Sequence, residues 1–236
     1  MRSITKLLVT ATALASATSA WSQEVVVTAS RQGSYLNAER NAPSERPIIN
    51  LKRTADFAVL PAQILGDTRE EAKRHEEIYA MLRSAIELAP KFGVELSTGD
   101  YLVEALTLAN YKNLTLSGGG RSDTNAARFL VKTRLADGVD SKTALERITK
   151  FIKAVPAIGR AELNATSGLT LSVVSPDQYR TAIIDLILAD AKATVAKFGT
   201  DYGVQVTGLD RPVEWARASL TEVFLYLPAA YTVVPK

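Results

Sequence analysis

The chain has 236 residues, 28 of them basic and 25 acidic, with one histidine and no cysteine. This length is enough for one large domain or two small ones with ordinary hydrophobic cores. The absence of cysteine excludes disulfides, zinc–thiolate sites, cysteine nucleophiles and lipid attachment through a terminal cysteine. The single histidine excludes a histidine-based metal cluster, and basic residues are not concentrated as a nucleic-acid surface would require.

The first 22 residues have the three parts of an export signal. Arg2 and Lys6 form a basic start, residues 7–15 are apolar and rich in alanine, and small residues follow. We expect cleavage after Ser22, with cleavage after Ala20 as the alternative. This apolar stretch is too short to span a membrane, and so is every later one. We therefore expect a periplasmic protein of about 214 of the 236 residues, with a mature net charge of +1.

Residues 23–50 are expected to form a flexible N-terminal segment, because they are polar, contain Pro43 and Pro47, and show no sustained hydrophobic period. One apolar stretch interrupts them, Glu24-Val25-Val26-Val27-Thr28-Ala29-Ser30. It resembles the TonB box of TonB-dependent outer-membrane receptors, which joins TonB as an added strand. The resemblance implies that Val25, Val26, Val27 and Thr28 contact TonB. An N-terminal strand or a frayed tail is the alternative.

Residues 51–236 are expected to form the folded domain. Residues 57–65 read as a strand, with Pro61 suggesting a sheet edge or bulge. Asp67 or Thr68 is expected to cap a helix that ends at Gly93. Further strands are predicted near residues 101–103, 111–116, 127–135, 169–173, 204–209 and 219–234, the last split at Pro228, and further helices at 141–155 and 177–198. Strands and about three long helices in this order predict an α+β fold with helices packed on a mixed or antiparallel sheet.

No group of residues in the sequence matches a known catalytic or cofactor motif. The Gly-rich stretch 117–121 lacks the spacing and the Lys-Ser/Thr ending of a phosphate-binding loop, so it is interpreted as a hairpin loop. His75 lies among charged residues of the first predicted helix, where a solvated or ion-paired role is expected. Trp215, Tyr202, Tyr226 and Tyr231 are interpreted as sheet core, with a pocket or an oligomer interface as the alternative. We expect no catalytic residue, no cofactor and no metal ligand.

The layout of residues 54–234 resembles the SIMPL-domain family of exported bacterial proteins. The likeness rests on Gly66-Asp67-Thr68-Arg69-Glu70 before a long charged helix, on Phe92-Gly93-Val94-Glu95-Leu96-Ser97-Thr98-Gly99 after it, on the turn Ile158-Gly159-Arg160, and on a last strand that opens with Ala218-Ser219. The resemblance implies a periplasmic or outer-membrane-associated α+β protein, oligomeric and linked to envelope or stress physiology. It supplies no catalytic residues.

Three functions are therefore compared. The first is a non-catalytic binding or assembly protein of the cell envelope that forms a homo-oligomer or binds an envelope partner. The second is an accessory of the TonB system, recruited through residues 24–30. The third is a hydrolase whose carboxylates or hydroxyls are not paired by any sequence motif.

Overall fold

A computed structural model describes residues 24–27, 48–99, 103–135 and 139–236. Within these ranges the chain forms three α-helices: α1 (Glu71–Leu88), α2 (Ser141–Ala154) and α3 (Arg180–Val195). The strands are β1 (Glu24–Val27), β2 (Leu51–Thr54), β3 (Phe57–Gly66), β4 (Glu95–Thr98), β5 (Glu104–Ala105), β6 (Ser117–Gly118), β7 (Asn125–Arg134), β8 (Ala161–Ala165), β9 (Thr170–Val174), β10 (Tyr202–Thr207), β11 (Glu214–Arg217), β12 (Glu222–Tyr226) and β13 (Ala230–Pro235).

The largest sheet has the strand order β1-β9-β3-β7-β4-β5, with β6 paired to β7 and β8 paired to β3. Two smaller sheets are built from β10-β13 and from β11-β12-β2. Every strand pairing in the described ranges is antiparallel. The predicted α+β class is therefore confirmed, and its sheets are antiparallel.

Two hydrophobic cores lie between the helices and the sheets. The first lies where α1 and α2 cover alternate residues of β3 and β7, including Leu60, Ile64 and Phe129. The second joins α3 to β9 and to the β11-β12-β2 sheet, with Trp215 and Leu225 buried in it. Because alternate residues of a strand point to opposite faces, β3 contributes one set of side chains to these cores and presents the other set, which starts at Phe57, on the opposite face.

Pro61 does not mark a sheet edge as the sequence suggested, because β3 is an interior strand. Strand β3 pairs with β7 along its whole length, with β9 through residues 57–59 and with β8 through residues 62–66. Pro61 falls in the gap where its second neighbour changes from β9 to β8, and its carbonyl accepts a hydrogen bond from the Thr166 amide at 2.9 Å. The missing proline N–H thus lies where no ladder bond is needed.

The expected cap of α1 at Asp67 or Thr68 is wrong. The helix begins at Glu71, and its N-cap Glu70 makes no side-chain capping bond. Asp67 and Thr68 are engaged elsewhere: Asp67 accepts two hydrogen bonds from Arg160 at 2.7 and 2.8 Å, and the Thr68 hydroxyl donates to Glu77 at 2.5 Å. Long-range partners have replaced the local cap.

The other boundaries differ where local signals compete. Residues 111–116 were expected to form a strand, but Tyr111–Asn113 is a 3₁₀ turn, so that prediction is wrong. The strand expected at 101–103 falls mainly outside the described residues. Pro176–Tyr179 is a 3₁₀ turn that precedes α3 rather than its first turn. The short strands β2, β8 and β11 were not predicted. No helix in the described part of the chain is both long enough and apolar enough to cross a lipid bilayer.

Polar contacts join α1 to two loops at one end of the large sheet, the loop of Thr68 and the loop of Arg160. The carboxylate of Glu77 on α1 accepts the Thr68 hydroxyl and, at 3.2 Å, the backbone N–H of Arg160. These two bonds, the Thr68 bond first, hold the pKa of Glu77 below its ordinary value. Gly159 lies against the same carboxylate in the left-handed region, with φ of 58°. A Cβ at Gly159 would come within 2.2 Å of the Glu77 carboxyl carbon.

Gly159→Ala is therefore expected to lower the free energy of unfolding by about 2 kcal/mol, because the left-handed backbone and the close carboxylate both oppose a side chain. Urea unfolding followed by circular dichroism measures the change. Gly168→Ala is the matched control, since a Cβ there meets no atom within 4 Å. Equal stability of the two variants would contradict the packing assigned to Gly159.

Candidate functional site

The segment that was compared with a TonB box forms β1, the outermost strand of the large sheet. It pairs antiparallel with β9, so that Glu24 lies opposite Val174 and Val27 lies opposite Leu171. Thr28 lies outside the described residues. On its other side β1 pairs with no strand in the described ranges. The backbone of Val25, Val26 and Val27 is thus engaged on one side by β9 and forms the edge of the sheet on the other.

Glu24 anchors this strand through a buried carboxylate. The residue is only 7% exposed. One carboxylate oxygen accepts a hydrogen bond from the Ser172 hydroxyl at 2.7 Å, and the other is ion-paired with the Lys132 ammonium. Ser172 lies two residues from Val174, the direct partner of Glu24, so both side chains point to the same face of the sheet.

Lys132 reaches this carboxylate from β7, which is separated from β1 by two strands, β9 and β3. Its ammonium lies 4.2 Å from the centre of the Phe57 ring and 3.6 Å from a carboxylate oxygen of Glu95. The Glu95 side chain is 54% exposed, whereas those of Lys132 and Glu24 are 8% and 9% exposed. Because a buried ammonium needs a buried counter-charge, Glu24 is the partner that compensates Lys132.

A serine near a lysine also raises the question of nucleophilic catalysis. A nucleophilic serine must be reachable by substrate and must pass its proton to a neutral base. Ser172 is fully buried, and its hydroxyl donates to one oxygen of the Glu24 carboxylate, whose other oxygen is ion-paired with Lys132. This arrangement suits the recognition of a carboxylate rather than the activation of a hydroxyl.

A groove of about 720 Å³ lies between α3 and the C-terminal strands. Its lining is largely apolar and includes Ile48, Ile187 and Pro228. The Tyr231 hydroxyl donates to the Asp190 carboxylate at 2.6 Å, and burial, followed by the nearby Glu214 carboxylate, raises the pKa of Tyr226 to about 12. Two of the three tyrosines interpreted as sheet core, Tyr226 and Tyr231, therefore line a groove, and the third, Tyr202, is 38% exposed, while Trp215 is buried in the core.

A smaller groove of about 480 Å³ lies at the β4–β5 end of the large sheet. Its lining is polar and includes Glu104, Asn110 and Arg128. Asn110 is committed to its own loop, where its side chain bonds Thr107 and the Ala105 carbonyl. This groove therefore offers fewer free polar groups than its lining suggests.

Helix α3 presents the third surface of interest. Only Ile183, Ile187 and Ala191 are buried in the core. Leu186 is 41% exposed, and Phe198 and Tyr202, just beyond the helix, are 55% and 38% exposed with their ring centres 5.8 Å apart. Exposed apolar side chains on α3 and in the segment that follows it indicate an interaction surface.

Other chemistry-bearing residues do not assemble into a site. His75 lies on α1, with its Nε2 3.8 Å from a Glu71 carboxylate oxygen. Among the described residues no group of three histidine, aspartate or glutamate side chains could hold a metal ion.

The pair Glu24–Lys132 predicts a distinct mutational pattern. Glu24→Gln or Lys132→Met alone should lower the free energy of unfolding by about 3 kcal/mol, since each leaves one buried charge or acceptor without its partner. The double variant should cost less than the two single changes added together. Chemical denaturation of all three variants provides the cycle.

The exposed ion pair Lys52–Glu222, at 2.9 Å, is the matched control for that cycle. Its lysine side chain is 53% exposed, so Lys52→Met should cost less than about 1 kcal/mol. If Lys132→Met were as mild as Lys52→Met, Glu24 would not compensate a buried charge.

Comparison with known proteins places the chain in no family. No protein-family model matches it, and no curated protein matches it. Solved structures to which it has a weak similarity include a hydrolase from Listeria innocua, at 14% identity over 77% of this chain and 91% of that one, and an uncharacterized conserved protein from Listeria innocua, at 13% identity over 77% and 92%. Both have a TM-score of 0.15, which is too low to support a shared fold or function.

Proposed function

We propose that the chain is an exported, non-catalytic assembly protein of the bacterial cell envelope, and that two copies associate through α3. The signal-like sequence of residues 1–22 supports the location. The observation that carries the assembly is the exposed face of α3, where apolar side chains recur on the side opposite the core.

The spacing of this face matches helix pairing. Its exposed apolar positions alternate steps of four and three residues: Ala182, Leu186, Ala189, Ala193 and Ala196. This is the repeat of a helix–helix seam, in which positions a and d meet those of a second helix. Alanine at most of these positions permits a close approach of two backbones, and Leu186 supplies the large side chain at the centre.

The charges beside this face favour one orientation. Asp185 and Lys192 are exposed on the same flank, because seven residues separate them. When two copies of α3 run antiparallel with Leu186 opposite Ala189, Asp185 of each copy faces Lys192 of the other. In a parallel pair, Asp185 would face Asp190 and Lys192 would face Lys197, so like charges would meet. The charge pattern therefore selects an antiparallel, two-fold arrangement.

Leu186→Asp is expected to weaken dimerisation at least about tenfold, because a carboxylate would be placed at the centre of the apolar seam. Sedimentation velocity over a range of concentrations measures the monomer–dimer equilibrium. Leu145→Asp is the matched control, since Leu145 on α2 is 42% exposed and Leu186 is 41% exposed.

A charge exchange sharpens the test. Asp185→Lys should weaken the dimer, and Asp185→Lys combined with Lys192→Asp should restore it, because the exchange recovers both ion pairs across the two-fold axis. A strict monomer at high concentration, or equal effects of Leu186→Asp and Leu145→Asp, would rule out association through α3.

A second candidate function, an accessory of the TonB system, is favoured by the position of β1 at the sheet edge. An edge strand presents unpaired backbone groups to which another strand can add. Deletion of residues 23–30 should then abolish retention by the TonB C-terminal domain in a pull-down, whereas deletion of residues 33–40 should leave retention unchanged. Equal retention of the intact chain and both deletion variants would end this hypothesis.

A further inference from the structure

β1 is joined to the rest of the fold differently from every other described strand. It has four residues, and 23 residues separate Val27 from Leu51, where the next described strand begins. A chain of that length spans up to about 75 Å when extended. The link along the chain therefore does not require β1 to occupy a place in its own molecule.

The place that β1 occupies is a built binding site. The edge of β9 that β1 covers supplies backbone hydrogen-bonding groups, and the register fixes where each residue of the added strand lies. At the position of Glu24 the site supplies the Lys132 ammonium and the Ser172 hydroxyl, which are more than nine-tenths buried. Together they favour an extended peptide that carries a carboxylate at the position of Glu24.

The need for a carboxylate makes an empty site unfavourable. Without Glu24, Lys132 would be left with the largely exposed Glu95 as its anionic partner among the described residues. A strand that carries glutamate at this position restores the buried pair, whichever molecule it comes from. The same contacts are thus available within one chain and between two chains.

We propose that the β9 edge is an acceptor site for the sequence Glu-Val-Val-Val, and that its occupant exchanges between copies of this chain. At low concentration β1 fills the site of its own molecule, because the tether keeps it close. At high concentration β1 of one copy fills the site of another, which links molecules with no contact that the single chain lacks. This exchange does not depend on the α3 interface proposed above.

Cysteine cross-linking distinguishes the two occupants, because the natural chain has no cysteine. Val25 and Val173 are directly opposed in the β1–β9 register. Purified Val25→Cys and Val173→Cys chains are mixed, incubated at high concentration and oxidised gently. Exchange predicts a disulfide-linked heterodimer on a non-reducing gel, in an amount that rises with concentration.

The collision control mixes Leu145→Cys with Val173→Cys, since Leu145 is exposed on α2. The carboxylate control adds Glu24→Gln to the Val25→Cys chain and should reduce the heterodimer several-fold. The experiment is repeated with Leu186→Asp in both chains, where the heterodimer should persist because the strand contacts are unchanged. A Val25→Cys/Val173→Cys chain should form the same disulfide within one molecule at low concentration.

Two results would overturn the proposal. One is a heterodimer yield from Val25→Cys and Val173→Cys that does not exceed the collision control, while the double-cysteine chain cross-links within itself. The other is an unchanged heterodimer yield when Glu24→Gln is added, which would show that the site does not require the carboxylate. A third contrary result would be loss of the heterodimer only in the Leu186→Asp chains. Strand exchange would then require the α3 contact, whereas the proposal makes it independent of that contact.

Discussion

A buried ammonium constrains the large sheet more than any other single group. Lys132 lies on β7, in the interior of the sheet, and its charge must be balanced by a carboxylate that is also removed from water. Glu24 provides that balance from the far end of the order β1-β9-β3-β7. The ion pair therefore links the outermost strand to the centre of the fold, and Ser172 between them holds the carboxylate in place.

The two proposed contacts, through α3 and through the β9 edge, have different physical origins. Helix α3 has more apolar surface than its own core covers, so it can bury more only against another molecule. The β9 edge has the reverse property, because its polar groups are satisfied only when a particular strand is present. The α3 surface thus leaves apolar groups exposed to water. The β9 edge is instead covered by β1, a short strand that 23 residues separate from β2.

The sequence predicted best the long elements, in which a hydrophobic period continues over many residues. β3, β7 and the three helices were recognised because their apolar residues recur over ten or more positions. The cap at Asp67 or Thr68 failed because Arg160 and Glu77, distant in sequence, compete for those side chains. The short strands β8 and β11 carry too few residues for a period to show, and tertiary pairing alone defines them.

The candidate site illustrates the same limit. The valine-rich segment was expected to contact TonB from within a flexible stretch, with an N-terminal strand as the alternative, and only its extended conformation was recognised from its β-branched residues. The sequence did not indicate which sheet it joins, because Glu24 and Lys132 are 108 residues apart and each is an ordinary charged residue when read alone. For α3, the sequence predicted the helix, but a single sequence does not reveal which sides of an apolar helix are covered.

The buried lysine also bears on which strands can add to the β9 edge in place of β1. A sheet edge such as that of β9, with the sequence Thr-Leu-Ser-Val-Val, would accept almost any extended apolar segment if backbone pairing were the only requirement. A foreign strand without an acidic residue at the matching position would trap an uncompensated ammonium beneath it. The β9 edge thus favours its own β1 sequence, because the Lys132 charge opposes the addition of a strand that lacks a carboxylate.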